Sequence, residues 1–154
     1  MPATAGAGRV ARTAAALSAS PYPVVLAGDL SSPPDPTADA YGVLTSAGFR
    51  DAWSRVGRGP GYTAASPPAD DLTYDPGQID HRVDDVLYRG CGLAPVSAEV
   101  VGDRPADRAP SGRWLSDHAG VVATVRLATH EVAGREADAR QQEHRAGRPV
   151  PAGW

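Results

Sequence analysis

The chain has 154 residues, 42% of them hydrophobic and 21% charged, so it is long enough for one domain with a core and too apolar for general disorder. Its formal charge of −3, with the 15 basic residues all arginine and scattered along the chain, argues against a strong electrostatic grip on nucleic acid. No apolar run nears the ~18 residues of a membrane span, and Cys91, the single cysteine, excludes an intrachain disulfide or a cysteine-based zinc site.

The 17 glycines and 15 prolines predict a loop-rich fold. Residues 8–18, G-R-V-A-R-T-A-A-A-L-S, favour helix through their alanines, and Ser20-Pro21-Tyr22-Pro23 stops it. With Arg9 and Arg12 inside that stretch and no leucine-rich core, it does not read as a signal peptide, and residues 1–20 read as the end of an interrupted helix. Pro23 to Gly28, P-V-V-L-A-G, predicts a short buried strand, and Asp29 to Pro36 a proline-forced loop. Between Thr37 and Ala47, the residues Ala40, Val43, Leu44 and Ala47 make one apolar helix face with Gly48 as C-cap. Phe49 to Val56 predicts a shorter helical turn carrying Trp53 inward.

Gly57 to Gly77 reads as a surface loop of a length that is usually functional inside a compact domain. Arg82 to Arg89 and Leu93 to Val101 read as strands, turning at Cys91-Gly92, with Cys91 expected as small apolar filler. A polar loop, Gly102 to Gly112, leads to a last strand, Ala119 to Leu127, whose Val121, Val122, Val125 and Leu127 suit a pleated sheet. Residues 129–154, including His130 and His144, carry charge on every side and read as a solvated helix or disorder.

Three strand ends carry acids or a histidine: Asp29 after V-V-L-A-G, Asp84 within R-V-D-D-V, and Asp117-His118 in S-D-H-A-G-V-V-A-T. Sheet ends hold polar groups rigidly while loops leave room for substrate. Taken singly, each has a plain structural role: Asp29 as a turn or cap acceptor, Asp84 as an exposed strand position, Asp80 and His81 as loop.

Taken together and in this order, the motifs G-D-L-S, I-D-H-R-V-D-D-V-L-Y and S-D-H-A-G-V-V-A-T resemble those of the endonuclease/exonuclease/phosphatase family of deoxyribonuclease-like, metal-dependent phosphoesterases, over Pro23 to Leu127. The resemblance implies an α/β (α+β) fold, the C-terminal half of a four-layer α/β/β/α sandwich with mostly antiparallel or mixed sheets and flanking helices, spanning residues 21–128. It implies that Asp29 orients or deprotonates the attacking water, that Asp84 holds the imidazole of His118, that His118 stabilises the phosphate in the transition state, and that Asp117 binds Mg²⁺ or Mn²⁺. Such chemistry suits a phosphate ester, whose negative charge must be neutralised while water is positioned.

The chain departs from the family pattern in three ways. Ser31 stands where a phosphate-binding Asn is usual, Asp85 replaces an aromatic, and the N-terminal half that supplies a metal-binding Glu is absent. The expectation is therefore a phosphoesterase that is incomplete as this chain, with an apolar strand face open to self-association or to a complementing half. The alternative is a catalytically inactive fragment or partner-binding module that keeps half of the fold. Nucleic acid, phospholipid and inositol phosphates are all substrates of the family. The expected location is cytoplasmic, allowing that a signal peptide was lost with the missing part.

Overall fold

The computed structural model describes residues 3–65 and 72–128; the expected tail lies outside them. Chain order is α1 (Ala3–Ser18), β1 (Val24–Asp29), α2 (Asp39–Ser46), β2 (Arg50–Asp51), α3 (Ala52–Val56), β3 (Ala64–Ala65), β4 (Ile79–His81), β5 (Asp84–Arg89), β6 (Leu93–Val101) and β7 (Gly120–Leu127). Every strand pairing is antiparallel: β1–β5–β2 form one sheet, β3–β4 a second and β6–β7 a third. The fold is α+β, as expected. Among the described residues no helix is long and apolar enough to cross a membrane.

Three layers stack. In α1, Val10, Ala14 and Leu17 recur at helical spacing and pack on Tyr41 and Leu44 of α2, with Phe49 and Leu87 beneath. Ser18 Oγ donates to the Ala47 carbonyl at 3.1 Å, tying the two helix ends together. Val24, Leu26 and Leu87 present one face of the central sheet to these helices. The opposite face, Val86 and Tyr88, packs with Ala52 of α3 and with Leu93, Val121 and Ala123 of the β6–β7 hairpin. These layers are helices, sheet and hairpin; a fourth is not seen among the described residues. Because both faces of β5 are covered, Val86, Leu87 and Tyr88 are all buried, while Val25 on the neighbouring edge strand is 52% exposed and Val122 on the outer hairpin face 47%.

Several local expectations change. The segment Phe49 to Val56 is a helical turn only from Ala52: Arg50 and Asp51 pair with Tyr88 and Leu87 of β5, and Asp51 then caps α3 by accepting from the Trp53 amide at 2.8 Å. Trp53 does point inward. Gly57 and Gly61 lie so close to its ring that an added Cβ would meet it at 2.5 and 2.4 Å, and its indole N–H donates to the Gly59 carbonyl at 3.2 Å. The glycine-rich run R-G-P-G-Y is thus a cradle for one aromatic ring. The strand expected over 82–89 is β5 and begins two residues later, at Asp84; an unexpected short strand, β4, precedes it, and between the two the buried Arg82 reaches Asp51 at 2.6 Å. Cys91 is exposed in the turn before β6, which corrects its reading as core filler.

Candidate functional site

Antiparallel pairing brings chain positions far apart in sequence to one end of the central sheet. The last residue of β1, Asp29, lies opposite the first residue of β5, Asp84. Opposed residues share a face, and here it is the face of Val86 and Tyr88, turned to the β6–β7 hairpin. His118 stands just ahead of β7 on that side, bridged to Ala64.

The imidazole Nδ1 of His118 lies 2.7 Å from Asp84 Oδ2, with the side chains 32% and 19% exposed. A carboxylate at Nδ1 fixes the proton there and leaves Nε2 for a second partner. Burial alone would lower the His118 pKa, but the Asp84 hydrogen bond and the charges of Asp84, Asp117 and Asp29 outweigh it and raise the pKa above its ordinary value.

Asp29 is exposed. Its Oδ1 accepts from the Ser31 amide at 2.6 Å and from Ser31 Oγ at 3.2 Å. Ser31 adopts a left-handed backbone, φ 46°, to make this turn. Both of its donors go to Asp29, so the hydroxyl reaches a substrate only by giving up that bond.

The S-D-H turn is held from below. Ser116 Oγ accepts from the His118 amide at 3.0 Å, and the Ser116 carbonyl accepts from the Tyr74 hydroxyl at 2.9 Å. Tyr74 stacks on Trp114 with centroids 5.4 Å apart, and the Arg108 guanidinium lies 4.6 Å from the Trp114 ring centre. Trp114 Nε1 and Arg108 both donate to the Tyr74 carbonyl, at 2.7 and 2.8 Å. Sequence reading placed none of these three in the site. Their partners lie 34 to 42 positions away in the chain, beyond any periodicity.

A divalent cation of the Mg²⁺ type takes a full octahedral shell of oxygens. Asp117 offers one carboxylate, with Ser116 Oγ at 3.5 Å. Among the described residues no group of three His, Cys, Asp or Glu side chains is arranged to hold a metal ion. These residues alone do not fit Mg²⁺ or Mn²⁺.

Two further features border the site. Asp80 and His81, expected as loop, form an exposed pair on β4 with Nδ1 to Oδ1 at 2.5 Å. A cleft of about 650 Å³ is lined by Trp53, Tyr62, Ile79, Glu99 and Arg104 among others and includes none of Asp29, Asp84, Asp117 or His118. The chemistry-bearing residues therefore occupy an open sheet end rather than that cleft. No protein-family model matches the chain, and no curated protein matches it.

Proposed function

We propose that this chain carries the acid and histidine part of a phosphoesterase site, hydrolysing a phosphate ester by an activated water. The observation that carries the reading is the 2.7 Å contact of His118 Nδ1 with Asp84, at a sheet end that also holds Asp29 and Asp117. The raised imidazole pKa favours the protonated ring, whose Nε2–H can donate to a phosphoryl oxygen as negative charge develops there. Asp29, solvent-facing at the same end, is available to orient a water and take its proton. Asp84 holds the ring and compensates its charge. The substrate class is a phosphate ester of nucleic acid, phospholipid or inositol phosphate type, and any Mg²⁺ or Mn²⁺ requires ligands beyond Asp117.

A second reading, a catalytically inactive or partner-binding module, is favoured by that shortage of metal ligands and by the Ser31 hydroxyl being engaged with Asp29. Hydrolysis of bis(4-nitrophenyl) phosphate with Mg²⁺ or Mn²⁺ separates the two. The expected result is slow release of nitrophenolate, with or without added metal, that falls at least ~100-fold in His118→Ala. No release by the wild-type chain selects the inactive module; release unchanged by His118→Ala refutes the site.

A further inference from the structure

One residue in the glycine-rich loop ties the start of the Asp84 strand to the backbone just after His118. Thr63 is fully buried, 0% exposed, and lies just before β3. Its amide donates to the His81 carbonyl at 2.7 Å, and its carbonyl accepts from the Ala119 amide at 2.7 Å. Its hydroxyl oxygen accepts from two successive amides, Val83 and Asp84, each at 3.2 Å. The next residue, Ala64, pairs with His81 on one side and bridges to His118 on the other.

The geometry follows from where the chain leaves regular pairing. Between β4 and β5, Arg82 and Val83 belong to no strand, so the amides that start β5 need an acceptor other than a ladder partner. Thr63 Oγ1 is that acceptor. The same residue, through its backbone carbonyl, fixes the amide immediately after His118. Asp84 and His118 are 34 positions apart in sequence, and the 2.7 Å contact between their side chains demands that both backbones be set to within a fraction of an ångström.

We propose that Thr63 is a positioning residue: its side-chain hydroxyl fixes the backbone of Asp84 against that of Ala119, and so aligns the Asp84 carboxylate with His118. The inference rests on the phosphoesterase reading only for its effect on turnover, since the alignment itself is readable in the protein without substrate. A hydroxyl acceptor is required, so valine, the same shape without the oxygen, should fail where serine succeeds. The role runs through Asp84 and His118, with no contact to substrate, so it should appear in kcat and leave KM unchanged.

The test uses the full chain and the downfield proton resonance of an imidazole Nδ1–H bonded to a carboxylate. In the wild type that resonance should be present, and it should vanish in His118→Gln and in Asp84→Asn, which assigns it to the pair. It should vanish again in Thr63→Val and Thr63→Ala and persist in Thr63→Ser, with circular dichroism showing each variant folded. Where turnover is measurable, Thr63→Val should lower kcat by up to the ~10-fold expected of Asp84→Asn, at unchanged KM, since it acts through that carboxylate, and Thr63→Ser should restore it.

Should the variants lacking the hydroxyl fail to fold, amide hydrogen exchange in the wild type decides, because Val83, Asp84 and Ala119 should then be protected together. Free exchange at Val83 and Asp84 in the folded protein overturns the proposal, as does a resonance that survives in Thr63→Val. Absence of the resonance from the wild type, or its survival in Asp84→Asn, overturns the Asp84–His118 pair itself and with it the phosphoesterase reading.

Discussion

Asp84 and Asp85 are neighbours in the chain and of the same type, yet they stand in opposite surroundings. Asp84 faces the hairpin side, keeps 19% of its side chain in solvent and is paired with His118 at 2.7 Å. The alternation of a strand turns Asp85 to the helix side, where its side chain is fully buried. There the Arg82 guanidinium lies 3.6 Å away, and neither carboxylate oxygen has a hydrogen-bond partner. Asp51 takes the better share of that arginine, at 2.6 Å, along with the Tyr41 hydroxyl at 3.2 Å, the Ser54 hydroxyl at 2.5 Å and the Trp53 amide at 2.8 Å. Strand parity, and not residue type, separates a partly solvated acid paired with a histidine from one buried without a hydrogen bond.

The physical consequence for Asp85 is a pKa pushed up to about 6 by burial, with Arg82 opposing and the charges of Asp51 and Asp84 adding to the rise. An acid whose folded-state pKa exceeds its unfolded value binds its proton more tightly when folded. Its contribution is therefore most favourable below the unfolded value of 3.8 and is lost as pH rises through about 6.

The largest effect is expected where the buried side loses its only strong compensation. Arg82→Met should cost ~3–5 kcal/mol, because it leaves Asp51 and Asp85 buried without a cation. Urea denaturation at pH 7 measures it, and a loss below ~1 kcal/mol would mean that solvent reaches these carboxylates. Next comes the neutral isostere: relative to the wild type, Asp85→Asn should become more stable by up to ~3 kcal/mol between pH 4 and pH 8, following the shift at ~1.4 kcal/mol per unit. Parallel stability curves for the two proteins over that range would show that Asp85 is not carrying a raised pKa.

On the solvent-facing side the effects should be kinetic and smaller. Under the phosphoesterase proposal, Asp84→Asn should reduce phosphodiester hydrolysis ~10-fold, less than His118→Ala does, because the ring loses its orientation and not its presence. Equal losses in the two variants would make Asp84 a direct participant instead. Smallest is Ser31→Ala, whose exposed hydroxyl serves only Asp29; its stability should stay within ~0.5 kcal/mol of the wild type in thermal melts. A larger drop would show that the left-handed turn at Ser31 depends on that hydroxyl.

Sequence by itself determined the elements whose signals are local. Helix α2 was readable from Ala40, Val43, Leu44 and Ala47 with Gly48 behind them; Gly48 does take a left-handed φ of 89°. Strand β6 runs over the expected Leu93–Val101, and β7 begins one residue past the expected start. The order of Asp29, Asp84, Asp117 and His118 was also visible, because each marks the end of an apolar run. Only the tertiary structure decided the rest. Strands β2 and β3 are two residues each and exist because β5 and β4 lie beside them. Thr63 sat unnoticed in a glycine- and proline-rich loop, since a hydroxyl that receives amides 20 and 21 positions away leaves no periodic trace. The two fates of D-D at 84–85 were equally hidden: periodicity tells that adjacent strand residues part to opposite faces, but which face meets a histidine and which meets a helix layer is fixed only when distant segments pack.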